Sequence, residues 1–579
     1  MGDAASHEAK KPFTIKEETI ENLRPMKVIC IGAGFSGIFA AIRYALPVKP
    51  GFFPPHGALS DRAPSAETVA HSYQYSFAPN PYWSDLYAPG AEIQKYLKGV
   101  AEKYGATRFI KTKHEVTKHV TVKNLATGET IEDKANVVIA ARGLLNEISW
   151  PDIEGLRSFK GKIMHSGDWD ESNPADRTTT SRSHDFRNQR IGVIGNGSSA
   201  IQIIPKLQKI EGTHLTCFGR SPTWISGAFG DVAMAKLQDE WSSSPGAYLA
   251  FRKVVEDEGA SVHEATLLGS PMQKAGQEYF AAAMKTRLSR RPDLSASMIP
   301  KFAPGCRRLT PGPGYLEALC EPNVEFLREK IAAVGPSGLG LGSGREVRLD
   351  ALVCATGFKT SSPPPFPVVG RNSLSLSARW ESRPDSYLSV AVDGFPNYFI
   401  MFGPNSAIGS GSLTMILESQ GEYVVKCLRK LQKEDYSSME VLPARVKDFQ
   451  EYCGAYFSRT VYADECESWY KNKSGRTEEE RKWVSGVWPG SSLQAVEAFR
   501  SPRWEDYRYE SLEEEEEEEE AKKKNGGGTG NRMRWLGDGW TTAQKEGDKS
   551  FYINPEFVDM PVEGKPEERE EYKKRPWSY

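Results

Sequence analysis

Two short stretches, VICIGAGFSG at residues 28–37 and IGVIGNGSSA at 191–200, each place a run of β-branched apolar residues directly before the pattern G-x-G-x-x-G/A. Such a run favours a buried parallel strand, and the pattern after it demands a tight turn into a helix. Gly32 and Gly195 suit the tight turn, Gly34 and Gly197 let backbone approach a pyrophosphate, and Gly37 and Ala200 let the helix pack closely. The start of each helix, with Ser198 and Gln202 in the second copy, offers N–H groups and positive potential to an anion. One copy is a weak signal, because glycine turns also serve plain strand-to-helix connections. Two copies in the same context, about 160 residues apart, predict an α/β protein with two Rossmann-like dinucleotide-binding domains. Two dinucleotides in one chain suggest a flavin that takes hydride from a nicotinamide.

The second turn also indicates which nicotinamide. The strand expected after its helix reads HLTCFGRSPTW and ends in Arg220 and Ser221. An NAD site wants an acid there for the ribose hydroxyls, whereas a guanidinium with a hydroxyl suits the 2′-phosphate of NADPH through charge-assisted hydrogen bonds.

At 579 residues the chain is too long for one ordinary core, and length predicts roughly two to four domains. Residues 1–25 read as a polar arm, 26–155 as the first part of the FAD-binding domain, irregular at 44–70, and 156–184 as a linker. Residues 185–340 read as the NADP-binding domain with a charged helical insertion at about 231–300, and 341–510 as the second part of the FAD-binding domain. The tail, 511–579, carries eight consecutive glutamates at 513–520 and reads as a solvated insert. A hydrophobic fraction of 39% with 26% charged residues excludes a disordered or fibrous chain, and a net charge of −2 gives no case for nucleic acid. No apolar run is long enough to span a bilayer, and the N-terminus lacks the apolar core of a secretory signal, so the expected location is cytoplasmic. The start MGDAAS fits the loose N-myristoylation pattern, which is often met by chance. The eight cysteines show no CxxC pair and no zinc spacing; they read as reduced packing residues, and no metal is expected.

Between the turns, FKGKIMHSGDWD at 159–170 meets the pattern F-x-G-x-x-x-H-x-x-x-W-P/D at Phe159, Gly161, His165, Trp169 and Asp170. Here the chain resembles the flavin-containing Baeyer–Villiger monooxygenases; the related amine and sulfide monooxygenases end this pattern differently. HSYQYSFAPNPYWSDLYAPG (71–90), GCRRLTPGPGYLEAL (305–319), CATGF (354–358), GFPNYFIMFGPNS (394–406) and SPRWEDYRYE (501–510) extend the likeness over most of the chain, closest to fungal members associated with steroid or polyketide ketones. The resemblance implies an enzyme that uses FAD, NADPH and O2 to insert one oxygen next to a ketone carbonyl, giving an ester or lactone, in fungal secondary metabolism. It implies that Arg308 is the active-site arginine, a fixed cation for oxyanions that also positions the nicotinamide. Arg307 would lie near the NADP phosphate, and Tyr73, Val116 and Gly357 would contact FAD. The fingerprint would transmit motion between domains.

On the flavin side the chain departs from this family, which has a second strand ending in a glutamate for the FAD ribose, a G-G-T/S-W block, and an aspartate paired with the catalytic arginine. This chain reads YALPVKPGFFPPHGALSDRAPSAETVAHSY from residue 44. Pro47, Pro50, Pro54 and Pro55 remove ladder donors, so the segment is not expected to supply the next strand, and no acid occurs between Gly37 and Asp61. Glu67 falls opposite the family's aspartate and is the candidate carboxylate. One arm of the family's β-meander is expected to be missing between Lys118 and His119, and Arg142 stands where the family prefers a small polar residue. An error in the predicted gene, a decayed gene and an adapted site all remain open. So do two other functions: a flavin-poor, NADPH-binding pseudoenzyme and an N- or S-oxygenating flavin monooxygenase. A disulfide reductase is set aside for want of a closely spaced cysteine pair, and a hydrolase for want of a G-x-S-x-G elbow.

Overall fold

The computed structural model describes residues 15–44, 49–52, 69–111, 114–118, 121–124, 127–169, 184–227, 234–360, 363–473, 475–512 and 533–550. β1 (Lys27–Ile31) is buried at four of its five residues, as its Val, Ile and Cys demand of a strand covered on both faces. It turns through the first glycine motif into α1 (Phe35–Tyr44). Then come β2 (Lys49–Phe52), α2 (Gly90–Lys103), β3 (His114–Lys118), β4 (Thr121–Asn124), β5 (Thr130–Glu132) and β6 (Val137–Ala140). β7 (Lys162–His165), β8 (Arg190–Ile194), α3 (Ser198–Gln208), β9 (His214–Phe218) and β10 (Ile225–Ser226) follow. Four helices form the insertion: α4 (Met234–Ser243), α5 (Ala247–Ser261), α6 (Pro271–Arg287) and α7 (Pro292–Met298). The chain continues through β11 (Thr310–Pro311), α8 (Tyr315–Ala318), β12 (Val324–Leu327), β13 (Ile331–Gly335), β14 (Gly338–Leu341), β15 (Glu346–Arg348) and β16 (Ala351–Cys354). α9 (Leu376–Arg379), β17 (Tyr398–Ile400) and α10 (Leu413–Lys433) complete the elements used below.

Two parallel sheets result, one ordered β17-β6-β1-β2 and the other β12-β9-β8-β16-β7. Each glycine turn leaves the carboxyl end of an inner strand, β1 or β8, which is where open α/β sheets bind ligands. The second sheet takes β7 from the fingerprint segment and β16 from beyond residue 341. Where the chain passes between sheets, Ser149 N–H donates to Gly357 O and Lys359 N–H to Glu147 O, both at 2.9 Å, so the two crossings run side by side.

β2 corrects the expectation that the proline-rich segment cannot form the next strand. Its residues pair in parallel with β1, Pro50 opposite Val28. Position resolves the conflict: β2 is the outermost strand of its sheet, and an edge strand tolerates a missing N–H. β3, β4 and β5 form a three-stranded antiparallel meander in which Lys118 pairs with Thr121. The cysteines need a second correction. Cys306 and Cys466 form a disulfide across 160 residues of sequence, while the other six are free and buried. Sequence spacing carries no sign of such a bond, because it joins two loops that only the fold brings together.

A smaller compact unit comprises residues 1–24, 429–437 and 510–579. Within it Lys16 Nζ pairs with Asp435 at 2.8 Å, and Arg24 Nη2 donates to the carbonyls of Leu431 and Tyr436. Among the described residues no helix is long and apolar enough to cross a membrane.

Candidate active site

The two glycine turns divide the labour among their glycines. Gly32 (φ +130°) and Gly195 (φ +121°) adopt backbone that side chains rarely reach, and a Cβ at either would overlap a carbonyl, Ala141 O or Ala355 O, just past β6 or β16. These positions are architectural. A Cβ on Gly37 would overlap Gly32 O, so the start of α1 sits directly on the turn, and the equivalent Ala200 is fully buried. Gly34 and Gly197 are different: a Cβ on either would meet nothing within 4 Å. Both cradles therefore have the open backbone approach that a dinucleotide pyrophosphate needs.

Around the second cradle, cations converge. Asn196, between the two glycines, donates its side-chain amide to Ser221 O and so ties the turn to the end of β9. Arg220 stands exposed beside it. Arg307 Nη1 donates to Pro222 O at 3.1 Å; burial pushes its pKa down, and Glu467 partly offsets this. Sequence reading missed Lys473. Although its residue surface is largely exposed, desolvation pushes its ammonium pKa down, with Glu467 opposing and Arg307 and Arg220 adding to the shift. Lys473 lies 253 positions after Arg220 in the chain, with no local motif to announce it. Gln202 is half-buried on α3, one turn past Ser198.

Arg308 follows Arg307 on the same segment. Two residues on, Thr310 Oγ1 hydrogen-bonds Ser198 Oγ at 2.5 Å, which fastens the arginine segment to the start of α3. In the other direction the half-buried Arg308 sits near the Tyr462 phenol; burial pushes that phenol's pKa up, and the Arg308 charge opposes the rise. Tyr462 fills the space beside Gly409, just before α10. Ser412 and Thr414 there bond Ser72 O at 2.8 and 3.0 Å, and the adjacent Tyr73 meets Phe35, first residue of α1, edge to face at 5.0 Å. Contacts and short steps along the chain thus link the second glycine turn, Arg308 and the first glycine turn. The insertion docks on the same aromatic block: His71 accepts Trp241, Tyr248 and Phe251 around its ring at 5.1–5.7 Å, and burial, with Arg252 nearby, pushes its pKa to about 4.

The fingerprint forms a joint. His165 ends β7, opposite Cys354 of β16, and is 1% exposed. Its Nδ1 accepts Gly167 N–H at 3.0 Å, which leaves the proton on Nε2. Thr356 Oγ1 donates to Ser149 O at 2.6 Å and so can accept that Nε2–H at 3.3 Å. Burial pushes the histidine pKa down, in keeping with a neutral ring. The ring thus ties β7 to the second crossing at Thr356 and, through that hydroxyl, to the first at Ser149. Gly161 is needed because a Cβ would overlap Asp350 O. Phe159 is buried in the core beneath β13–β15, and Trp169 packs on the second sheet's core near Phe186. Val116 lies in β3 opposite Val122, and Gly357 lies on the second crossing. Glu67 and Asp170 fall outside the described residues. Arg142 is half-buried in a small cleft shared with Tyr398, Met401 and Trp469.

No protein-family model matches the chain. Among curated proteins it is similar to the FAD-binding monooxygenase tazF of Aspergillus terreus, 32% identical over 563 residues, covering 92% of this chain and 95% of that protein. The chain belongs to the FAD-binding monooxygenases of the Baeyer–Villiger type. The monooxygenase is also 31% identical to moxY of Dothistroma septosporum over 565 residues (92% and 85% covered). A Baeyer-Villiger monooxygenase of Pseudomonas aeruginosa is 29% identical over 487 residues (81% and 88%). Among solved structures, an oxidized steroid monooxygenase bound to NADP superposes with a TM-score of 0.69 at 22% identity, covering 84% of this chain and 100% of that one. A closed form of cyclohexanone monooxygenase gives 0.69 at 22%, covering 84% and 99%. These structures share the fold of this monooxygenase.

Proposed function

We propose that this monooxygenase converts a ketone to an ester or lactone: ketone, O2, NADPH and a proton give ester, NADP+ and water. The observation that carries this reading is the placement of Arg307 and Arg308 on a segment bonded to the second glycine turn and reaching towards the first through Tyr462. Gly195, Gly197, Ser198, Ala200 and Gln202 would hold the NADPH pyrophosphate side, and Arg220, Ser221, Arg307 and Lys473 its 2′-phosphate. Gly32, Gly34, Gly37, Tyr73, Val116 and Gly357 would hold FAD, which when bound supplies electron transfer from nicotinamide to dioxygen. Arg308 offers a fixed, half-buried positive charge where the carbonyl oxygen becomes an oxyanion. Its guanidinium stays charged throughout, so it steadies negative charge without exchanging a proton. Glu67 is proposed as the carboxylate facing it. A place in fungal secondary metabolism belongs to the same reading, in keeping with the fungal relatives, and a cytoplasmic location is proposed with it. Ketone-dependent NADPH oxidation with ester product tests it; oxidation that no ketone stimulates would contradict it.

Arg220→Ala is expected to weaken NADPH binding by about ten- to a hundredfold, the worth of one charge-assisted hydrogen bond of about 1.5–3 kcal/mol. NADH, lacking the 2′-phosphate, should lose less than about twofold by the same argument. Equal losses in a binding titration would remove Arg220 from the phosphate site.

The absence of an acid between Gly37 and Asp61 bears on FAD. β2 supplies the sheet position, so the deficit shrinks to the missing carboxylate–ribose hydrogen bond, again about ten- to a hundredfold in affinity. The purified protein is therefore expected to lose flavin on gel filtration. Replacing residues 44–69 with a family-like strand, glutamate and G-G-T-W block should restore it. Stoichiometric FAD retained by the unaltered chain would show that other groups hold the ribose.

A further inference from the structure

The segment carrying Arg307 and Arg308 is gripped from two sides. Downstream it belongs to the second glycine turn, through Thr310 to Ser198 and β11 to β10. Upstream it is held by residues 461–473. Asp464 Oδ2 accepts Ala303 N–H at 2.7 Å, and Cys306, immediately before the arginines, is bonded to Cys466. That loop is itself anchored. Lys471 Nζ donates to the carbonyls of Asp464 and Cys466 at 2.5 and 3.2 Å, and Asn472 Nδ2 donates to Ser382 O at 2.7 Å. Tyr462 and Lys473, the neighbours of Arg308 and Arg307, ride on the same loop.

We propose that Cys306 and Cys466 form a reversible clasp that positions the arginine pair, so that NADPH affinity depends on thiol redox state. The inference rests on the reading of Arg307 and Arg308 given above. With the bond made, Arg220, Arg307 and Lys473 are held in register before the cofactor arrives, and less ordering is left for binding to impose. With it broken, the arginine segment keeps its downstream anchors but is held on the upstream side only by hydrogen bonds to the loop. Cys466 is half-buried and Cys306 fully buried, so exchange begins at Cys466. A thiolate of an external dithiol attacks Cys466 Sγ, the S–S bond breaks, and Cys306 leaves as a thiolate that takes up a proton. The second thiol of the reductant then closes its own disulfide and releases Cys466. In the forward direction a peroxide is the oxidant: it converts the Cys466 thiol to a sulfenic acid with loss of one water, and Cys306 displaces a second water to form the bond.

The test uses FAD-reconstituted full-length protein, oxidised with hydrogen peroxide or reduced with a dithiol. Peptide mass spectrometry after thiol blocking reads the bond, and calorimetric titration with NADP+ reads affinity. The expected result is a linked 306–466 peptide in the oxidised sample, a roughly tenfold weaker NADP+ affinity after reduction at unchanged FAD content, and Cys466→Ser fixed at the reduced value. Two free thiols in the oxidised protein, or equal affinities in both states, would overturn the clasp; the wild-type comparison decides even where the variant does not fold. Equal affinities beside an inactive Arg308→Ala would overturn the clasp alone, whereas an active Arg308→Ala would overturn the reading beneath it.

Discussion

Replacing Arg308 by alanine is expected to lower ester formation about a hundred- to a thousandfold, the loss measured when one preorganised stabiliser of an oxyanion is removed. The segment is bonded to Ser198 through Thr310 rather than through Arg308 itself, so the second turn should survive the change. FAD content should stay constant for the same reason, since Tyr73 and the first turn are held by Ser72, Phe35 and α10. Product chromatography beside flavin absorbance checks both expectations. Ester formation within tenfold of the parent would show that another cation serves the reaction. N- or S-oxygenation would be expected to tolerate the change better, so an amine or sulfide substrate in the same assay separates the two chemistries.

The second large effect separates glycines that build the turn from glycines that admit the ligand. Gly195→Ala forces a Cβ onto Ala355 O at φ +121°; the strained backbone alone costs about 1–3 kcal/mol, and the overlap adds to it. The melting temperature should fall by several degrees, with NADPH binding lost alongside. Gly197→Ala meets nothing within 4 Å, at an extended φ of −85°, so stability should hold or rise by a few tenths of a kcal/mol. NADPH affinity should nevertheless fall about tenfold or more, because the methyl group occupies the pyrophosphate's approach. Calorimetry and a binding titration on both variants read the contrast. Unchanged NADPH affinity in Gly197→Ala would take the cofactor away from this turn.

What the sequence showed depended on how local the determining physics is. The two turns were legible because strand, turn and helix start lie within ten residues, and which of their glycines are architectural follows from where a side chain has no room. The fingerprint was legible as a pattern, but its work was not: that His165 bonds Thr356, and through it reaches Ser149, requires a residue 191 positions beyond the histidine to fold back onto it. Pro50 misled because a missing N–H is tolerated on an edge strand, and sheet order is a tertiary property; Pro47, Pro54 and Pro55 lie outside the described residues. Lys473 and the Cys306–Cys466 bond were invisible for a related reason. Both depend on a loop some 160 residues beyond the arginines folding back onto them.

The most direct measurement of the central claim uses FAD-reconstituted protein with NADPH, a cyclic ketone and 18O-labelled dioxygen. The account predicts a lactone carrying one 18O atom as the ring oxygen, formed in step with one NADPH consumed. An unlabelled lactone, or NADPH consumed without any oxygenated ketone product, would contradict it.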